Sequence, residues 1–218
     1  MIKNTIEVKD LKFQYRNGDF SLRLSEFCVE ESEKVAIIGP SGTGKTTLLN
    51  LLAGCCLPDN GSVMIQETDI VSMSDLARRK FRICNIGMIF QEFELLDHLN
   101  VLDNILLPYR ITPYLIYGGS VLERAAFLAK EVGLEDKIKR NVRQLSQGER
   151  QRVAVCRSLL PEPSLLLCDE PTGNLDPANS KHVMNIMFKY TEDHGSTLVS
   201  VTHDHDNARR FDRTVEFS

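Results

Sequence analysis

The stretch from Gly39 to Thr46 constrains this chain more than any other, because it reads G-x-x-x-x-G-K-T. This spacing is that of a phosphate-binding loop, in which glycines let successive backbone N–H groups point at phosphate oxygens. The apolar run Val35–Ile38 precedes it and predicts a buried strand, and Thr47–Ala53 follows it and predicts a helix. A helix N-terminus adds partial positive charge at the same place. The stretch therefore predicts nucleotide binding.

Two side chains at the end of this loop suit a nucleotide that carries several phosphates. In loops with this spacing the lysine, here Lys45, reaches the β- and γ-phosphates, and the hydroxyl of the next residue, Thr46, binds Mg²⁺. The plain alternative is a glycine-rich turn between a strand and a helix. The flanking strand and helix patterns favour the nucleotide.

Composition limits the classes of function. The chain has 218 residues, of which 42% are hydrophobic, so it can bury one sizeable core. Its net charge of −4 argues against nucleic acid as the main partner. The six cysteines form no C-x-x-C pair, which argues against zinc and dithiol redox sites. Because the sequence shows neither a signal-peptide pattern nor the roughly 18 apolar residues of a membrane span, we expect a cytoplasmic chain that meets the membrane through a partner.

The hydrophobic pattern predicts an α/β fold in three parts. Alternation at Thr5–Lys9 and Ser21–Ser25 predicts an N-terminal antiparallel β layer. Later apolar runs such as Ile86–Phe90 predict the strands of a mostly parallel sheet around the phosphate loop. From Glu92 to about Leu160 the pattern is mainly helical, which predicts an inserted helical subdomain. We thus expect a single domain over 1–218, with a core of about 1–91 and 161–218 and a subdomain of about 92–160.

Tyr15 stands in an aromatic stretch before a predicted Asn17-Gly18 turn. Its side chain suits a flat surface against which a nucleotide base stacks. From this stretch alone, an ordinary tyrosine at a strand edge is the simpler interpretation.

Acidic residues end another predicted strand, since the apolar run Ser164–Cys168 leads directly into Asp169 and Glu170. Carboxylates at the end of a buried strand are costly unless they meet a cation or a substrate. At the carboxyl edge of a parallel sheet they would face the same crevice as the phosphate loop. Asp169 therefore suits Mg²⁺, and Glu170 suits proton abstraction from an attacking water.

His203 follows the predicted strand Thr197–Val201 within the run Thr202–Asp206, which contains two histidines and two aspartates. A metal site is one interpretation of this run. Because neighbouring residues of a strand point to opposite faces, we favour instead a single histidine that contacts the γ-phosphate or the attacking water.

The run Ser146-Gln147-Gly148-Glu149 opens another predicted helix. A serine with a glutamate three residues later is a capping box. A well-capped helix explains this run fully. A second anion site at the helix N-terminus is the functional alternative, and the residues alone leave both open.

Taken together, the motifs stand in the order found in ATP-binding-cassette (ABC) ATPases, and the chain resembles that family over nearly its whole length. The order is aromatic loop, phosphate loop, Gln91, the signature Leu145–Glu149, the acidic strand end and His203. The strings D-E-P-T-G-N-L-D at Asp169–Asp176 and F-Q-E-F-E-L-L at Phe90–Leu96 resemble the macrolide-exporter, lipoprotein-release and cell-division branch. Members of that branch are compact cytoplasmic subunits that serve a separate membrane protein.

The resemblance implies a role for each matching residue. The nucleotide is ATP, and its binding residues are Tyr15, Gly39, Ser41, Gly42, Thr43, Gly44, Lys45, Thr46, Thr47 and Gln91. Mg²⁺ is bound directly or through water by Thr46, Gln91 and Asp169. Glu170 is the general base, and His203 completes the contacts to the γ-phosphate.

The resemblance also implies a head-to-tail dimer. Residues of the signature, Ser146, Gln147, Gly148 and Glu149, contact ATP bound by the opposite subunit, and Asp176 lies at the interface. The family's signature usually has glycine where this chain has Gln147. Either the glutamine is tolerated or it weakens the contact across the dimer, and the sequence leaves both open.

The expected function is therefore an ATP-binding and ATP-hydrolysing subunit that energises a separate transmembrane subunit through ATP-driven dimer closure, at the inner face of the membrane. The alternative is a regulatory ATPase that transmits force through a membrane partner without moving a substrate, because such proteins share every motif. A third class, a cassette ATPase that acts on DNA or ribosomes, is disfavoured by the acidic net charge.

Overall fold

The structure is a computed structural model that describes residues 3–16 and 20–217. These residues form two β-sheets and a set of helices. The strands are β1 (Asn4–Gln14), β2 (Ser21–Glu30), β3 (Lys34–Ile38), β4 (Asn60–Ile65), β5 (Thr68–Asp69), β6 (Ile86–Ile89), β7 (Leu165–Asp169), β8 (Thr197–Val201) and β9 (Arg213–Glu216). The α-helices are α1 (Lys45–Leu52), α2 (Asp75–Asn85), α3 (Val101–Ile105), α4 (Leu107–Arg110), α5 (Gly119–Glu131), α6 (Gln147–Leu159), α7 (Pro177–His194) and α8 (His205–Ala208).

The N-terminal layer is the predicted antiparallel sheet, with strand order β2-β1-β4-β5. Its strand β1 is longer than the predicted Thr5–Lys9, and its buried face changes phase from Ile6 and Val8 to Leu11 and Phe13. The change occurs at Asp10, which has a φ of 50° beside an irregular register with β4. A bulge of this kind inserts one residue and turns the apolar alternation over, which is why simple alternation ended the predicted strand too early.

The second sheet is parallel, in the order β6-β7-β8-β3-β9. Its inner strands β7, β8 and β3 are buried on both faces, as expected for a parallel sheet covered by helices. Val199 of β8 stands between Leu167 of β7 and Val35 of β3 in register. Because all strands run the same way, the carboxyl ends of β3, β7 and β8 meet at one edge. The functional residues follow directly from those ends.

Three clusters of buried apolar residues hold these layers together. One lies between the two sheets and includes α1, and a second packs α6 and α7 against the parallel sheet. The buried members of the third all lie between Val101 and Leu160, and half of them come from α3, α5 and α6. This third cluster falls within the predicted helical subdomain, whose boundaries stay a prediction.

The helical part is less continuous than its pattern suggested. Helix α5 lies within the stretch predicted to be mainly helical and ends before Gly133, which has a φ of 70°. Between β6 and α3, however, Phe93 and Glu94 both have left-handed backbones, and residues 92–99 form a loop. The Asn17-Gly18 turn lies outside the described residues. Among residues 3–16 and 20–217, no helix has the length and apolarity needed to span a lipid bilayer.

Candidate nucleotide-binding site

The phosphate loop connects the end of β3 to the start of α1, as its pattern predicts. Its lysine, Lys45, is buried, with 7% of its surface exposed. The Lys45 ammonium donates to the carbonyl oxygens of Gly39 at 2.8 Å and Pro40 at 2.6 Å. These two bonds hold the side chain back across its own loop. The cation is therefore fixed at the mouth of the loop, beside the N-terminus of α1.

Glycine is required at two points of this loop. Gly39 has a φ of 153°, and a Cβ there would stand 2.1 Å from the carbonyl oxygen of Phe217, just after β9. Gly44 has a φ of 99°, and a Cβ there would stand 2.5 Å from the ring of Phe20. Both positions combine a backbone that favours glycine with a close neighbour. The spacing seen in the sequence therefore has a local steric cause.

Tyr15 lies at the rim of this loop, just past the end of β1. Its hydroxyl lies 3.1 Å from the hydroxyl of Thr47, and 45% of its surface is exposed. Its ring packs edge-on against Phe13, with the ring centres 4.8 Å apart. The cleft between this ring and the loop has a volume of about 360 Å³. It is lined by Tyr15, Phe20, Ser41, Gly42, Gly44, Lys45, Thr46, Thr47, Glu170 and Val201.

The acidic end of β7 meets the loop. Asp169 accepts a hydrogen bond from the hydroxyl of Thr46. Burial raises the pKa of Asp169, as does the neighbouring charge of Glu170, while the Thr46 bond and the charge of Lys45 act in the opposite direction. A half-buried carboxylate of this kind gains most from a cation placed beside it. Thr46 and Asp169, both predicted to bind Mg²⁺, thus lie next to each other.

Glu170 lies between two clefts, since it lines both the one at Tyr15 and a second of about 660 Å³. Its backbone has a φ of 45°, and its N–H donates to the carbonyl of Val201 at 3.0 Å. The Oε2 atom of Glu170 lies 3.0 Å from Nδ1 of His203. A Cβ on Gly173 would lie 3.1 Å from the same Oε2 and 3.5 Å from Nε2 of Gln91. Gln91, Glu170 and His203 therefore lie close together around Gly173.

The structure describes the whole run Thr202–Asp206. Its residues follow β8 as a loop and the start of α8, and Asp204 accepts bonds from the N–H groups of Asp206 and Asn207. Among the described residues, no group of three or more His, Cys, Asp or Glu side chains is placed to hold a metal ion. The reason given for favouring a single histidine is wrong, because these residues are not on a strand and Asp204 caps a helix, and the preference itself stays a prediction.

The signature opens α6 with the predicted capping box. The Ser146 hydroxyl accepts from the Glu149 N–H at 3.3 Å, and the Glu149 carboxylate accepts from the Ser146 N–H at 3.0 Å. A second bond, from the Lys137 ammonium, is the main cause that lowers the pKa of Glu149. Ser146 and Gln147 are exposed, whereas Gly148 is buried. Of the described residues that line the two clefts of Glu170, none belongs to 146–149.

Asp176 caps helix α7 and is tied to the signature helix. It accepts from the N–H groups of Ala178 and Asn179, and the Asn179 amide lowers the pKa of Asp176 through a side-chain bond. The Asn179 oxygen accepts from the Arg152 guanidinium at 2.8 Å. A Cβ on Gly148 would lie 2.7 Å from the Asn179 side chain. Gly148 thus allows α6 to pack closely against the start of α7.

Comparison with known proteins decides the family. The family model described as "ABC transporter" matches residues 22–173, well over half of the chain. This chain belongs to the ABC transporter family.

Relatives and solved structures agree with that family. The chain is 42% identical over 189 residues to the lipoprotein-releasing system ATP-binding protein LolD of Treponema denticola, covering 85% of this chain and 81% of that protein. It is 40% identical over 216 residues to the macrolide export ATP-binding/permease protein MacB of Rhodopirellula baltica, covering 96% of this chain but only 31% of that protein. Among solved structures, the dimeric ATP-binding cassette MJ0796, in a post-hydrolysis state bound to ADP and Pi, has a TM-score of 0.89 at 32% identity, covering 98% of this chain and 94% of that one.

These findings confirm the predicted family, the α/β fold and the assignment as an ABC ATPase subunit that binds and hydrolyses ATP. The sequence motifs do not include Gln151, Arg152 and Asn179, which connect α6 to the loop after Glu170. Gln151 is fully buried, and its Nε2 donates to the Pro171 carbonyl at 2.7 Å. The available signal was a glutamine within the apolar pattern of α6, beside Val153 and Val155.

Proposed function

We propose that two copies of this ABC ATPase close head to tail over two ATP molecules, each bound by the phosphate loop of one copy and the signature of the other. The observation that carries this proposal is the separation of the two anion-binding elements within one chain. The cleft at Lys45 contains no described residue of 146–149, while Ser146 and Gln147 face outward at the exposed N-terminus of α6. A second copy would place that helix end on the triphosphate.

Within each site, we assign adenine stacking to Tyr15 and the phosphates to the loop from Gly39 to Thr47. The fixed ammonium of Lys45 and the turned backbone of the loop support this assignment, since both present positive charge to one small volume. The exposed face of the Tyr15 ring supports the stacking role. The hydrogen bond between the Tyr15 and Thr47 hydroxyls joins the adenine side of the cleft to the phosphate side.

The residues Thr46, Asp169 and Gln91 fit Mg²⁺. They supply oxygen atoms, which this hard cation prefers, and the Thr46 hydroxyl already lies against the Asp169 carboxylate. The raised pKa of Asp169 means that its charged form lacks full solvation, and a bound cation would supply that stabilisation. When bound, Mg²⁺ neutralises charge on the β- and γ-phosphate oxygens.

We assign proton abstraction to Glu170. Its carboxylate would take a proton from a water whose oxygen bonds to the γ-phosphorus, while the bond from that phosphorus to the β–γ bridging oxygen breaks and ADP leaves with the electron pair. His203, whose Nδ1 lies 3.0 Å from Oε2 of Glu170, would orient this carboxylate. It would also contact the γ-phosphate. Replacing Glu170 with Gln should lower turnover by about 10²–10⁴ and preserve ATP binding.

A groove beside the loop of residues 92–99, which follows Gln91, suits the docking of a separate membrane subunit. It has a volume of about 260 Å³ and a mainly apolar lining, which includes Met88, Phe90 and Ile111. The Arg157 guanidinium donates to the carbonyls of Phe93 and Glu94 and so holds the adjoining loop. A partner in this groove would sense movement of Gln91. We therefore propose that the chain works at the inner face of the membrane through this partner.

A mixing experiment tests the head-to-tail arrangement. Lys45→Ala breaks the phosphate loop of one copy, and Ser146→Arg blocks the signature of the other. Each variant alone should be nearly inactive. In a mixed dimer, the loop of the Ser146→Arg copy meets the intact signature of the Lys45→Ala copy, so one site is whole. An equal mixture should regain up to about a quarter of wild-type turnover, because half of the dimers are mixed and each has one site.

Two controls make the result decisive. In the first control, one copy carries both substitutions and the other carries Lys45→Ala. Every phosphate loop then lacks its lysine, so no site is whole and the mixture should stay inactive. ATP binding by Ser146→Arg monomers should equal that of wild type. If the first mixture is no more active than its separate components, the shared-site proposal is wrong.

A further inference from the structure

A buried contact joins the signature helix to the loop that carries the proposed base. Gln151 of α6 has no exposed surface, and its Nε2 donates to the Pro171 carbonyl at 2.7 Å. Pro171 directly follows Glu170, so this bond ends one residue from the base. The acceptor fixes the orientation of the amide, because a flipped amide would turn its own oxygen toward the carbonyl. Oε1 has no hydrogen-bond partner among the described residues.

The bond from Gln151 acts on the central peptide of a tight turn. The N–H of Gly173 donates to the carbonyl of Glu170 at 3.1 Å, so residues 170–173 form a β-turn with Pro171 at its second position. In such a turn the central peptide can adopt either of two orientations, and the carbonyl of the second residue turns with it. Holding that carbonyl selects one orientation. Glu170 itself has a φ of 45°, a conformation that needs support from its surroundings.

A second link on the same helix holds the other end of this loop. The residue after Gln151, Arg152, donates to Asn179, which in turn donates to Asp176 at 2.5 Å. The segment 170–176 is therefore fastened to α6 at its start through Gln151 and at its end through Arg152. One rigid helix thus connects the exposed signature to both ends of the base-bearing loop.

We infer that Gln151 is a positioning residue through which the signature helix sets the orientation of Glu170 in the same subunit. This inference rests on the proposed function, in which the signature contacts the ATP of the opposite copy. Movement of α6 upon that contact would then be passed to Glu170, which serves the subunit's own ATP. Gln151 touches neither ATP nor water in this scheme and acts only through the Pro171 carbonyl.

Gln151→Met tests the inference, because methionine has nearly the same shape but cannot donate. We expect turnover to fall by about 10- to 100-fold, as for a buried carbonyl left without its donor, while the KM for ATP changes less than twofold. ATP-dependent dimerisation, measured by gel filtration with Mg²⁺, should persist. Gln151→Asn keeps the amide but is one methylene too short to reach the Pro171 carbonyl, so turnover should fall in the same way although the polar character of the side chain is kept.

Combining the variant with loss of the base separates positioning from a general structural role. If Gln151 acts through Glu170, then Gln151→Met/Glu170→Gln should turn over at the same slow rate as Glu170→Gln alone. Tyr190→Phe is the matched control. The Tyr190 hydroxyl donates to another buried proline carbonyl, Pro163, at the opposite end of β7. This carbonyl also accepts from the Ser196 hydroxyl, so the loss of the Tyr190 bond should leave turnover within twofold of wild type.

Several outcomes would overturn the inference. Wild-type turnover in Gln151→Met would do so, as would loss of the ATP-dependent dimer in both Gln151 variants. A double variant about tenfold slower than Glu170→Gln would show that Gln151 acts independently of the base. Failure of the proposed function is recognised separately, since Glu170→Gln alone would then hydrolyse ATP at the wild-type rate.

Discussion

The phosphate loop and the signature are both helix N-termini suited to anions, yet they are built in opposite ways. At the phosphate loop, the cation Lys45 is buried and held by backbone carbonyls, inside a cleft of about 360 Å³. At the signature, Ser146 is exposed, and its hydroxyl is already used to cap α6. The first element is a complete concave site, whereas the second is a projecting helix end. The loop should therefore determine ATP affinity, and the signature should affect turnover with little effect on affinity.

The largest expected effect tests the phosphate loop. Lys45→Ala removes the fixed ammonium, and we expect ATP affinity to fall by about 100-fold, because a charge-assisted contact to phosphate is lost. Isothermal titration calorimetry with ATP measures the change. Lys189→Ala is the control, since Lys189 forms an exposed pair with Glu131. Equal affinity in the two variants would contradict the division of roles.

The next test addresses the signature. Gly148→Ala places a Cβ 2.7 Å from the Asn179 side chain, so either that side chain or the exposed end of α6 must shift. We expect turnover to fall about tenfold with unchanged ATP affinity of the monomer, by analogy with other overpacked contacts. Gly119→Ala is the control, because a Cβ there meets nothing within 4 Å. Adding Asn179→Ala removes the clash and should restore part of the turnover. A loss of affinity equal to the loss of turnover would show that the two elements are not separable.

A smaller effect is expected on the side of the phosphate loop where adenine is proposed to stack. Tyr15→Ala removes the ring and should weaken ATP binding about fivefold, in the lower range for aromatic stacking on a base. Tyr15→Phe keeps the ring but loses the contact to the Thr47 hydroxyl, and should bind within twofold of wild type. A fluorescent ATP analogue in competition with ATP reports both values. If the phenylalanine variant binds as poorly as the alanine variant, the hydroxyl contact and not stacking carries the effect.

The smallest effect concerns the support of the signature. The bond from Lys137 lowers the pKa of Glu149 below its ordinary value of 4.5, so it stabilises the fold fully above that pH and less as the pH falls through the lowered pKa. Lys137→Met should reduce the melting temperature by about 1–2 °C at pH 7 and by less near pH 4. Lys189→Met loses an exposed ion pair with Glu131, and its melting temperature should change less. A difference that grows on acidification would contradict this account.

The sequence predicted those features whose causes are local. The turn between β3 and α1, the cap at Ser146 and the acids at the end of β7 each depend on a few consecutive residues, and each was found where expected. These features include most of the candidate site, because the carboxyl ends of parallel strands bring successive motifs together.

Contacts between distant residues were not predictable in this way. Gln151 and Pro171 are 20 residues apart, and their bond depends on how α6 packs against the parallel sheet. The bulge at Asp10 depends on the partner strand β4, where Gly61 approaches the Lys9 and Asp10 carbonyls. The pair of Glu170 and His203 required two strand ends to be neighbours. In each case the sequence supplies both partners, and the sheet order decides that they meet.

The backbone contact between Gly39 and Phe217 has a practical consequence for handling the protein. The Phe217 N–H donates to the Ile38 carbonyl at 2.7 Å, and its own carbonyl occupies the space that a side chain at Gly39 would need. An affinity tag, dye or fused domain attached at Phe217 would therefore lie beside the first glycine of the phosphate loop. Labels placed there will report on nucleotide occupancy, and purification handles are better attached elsewhere.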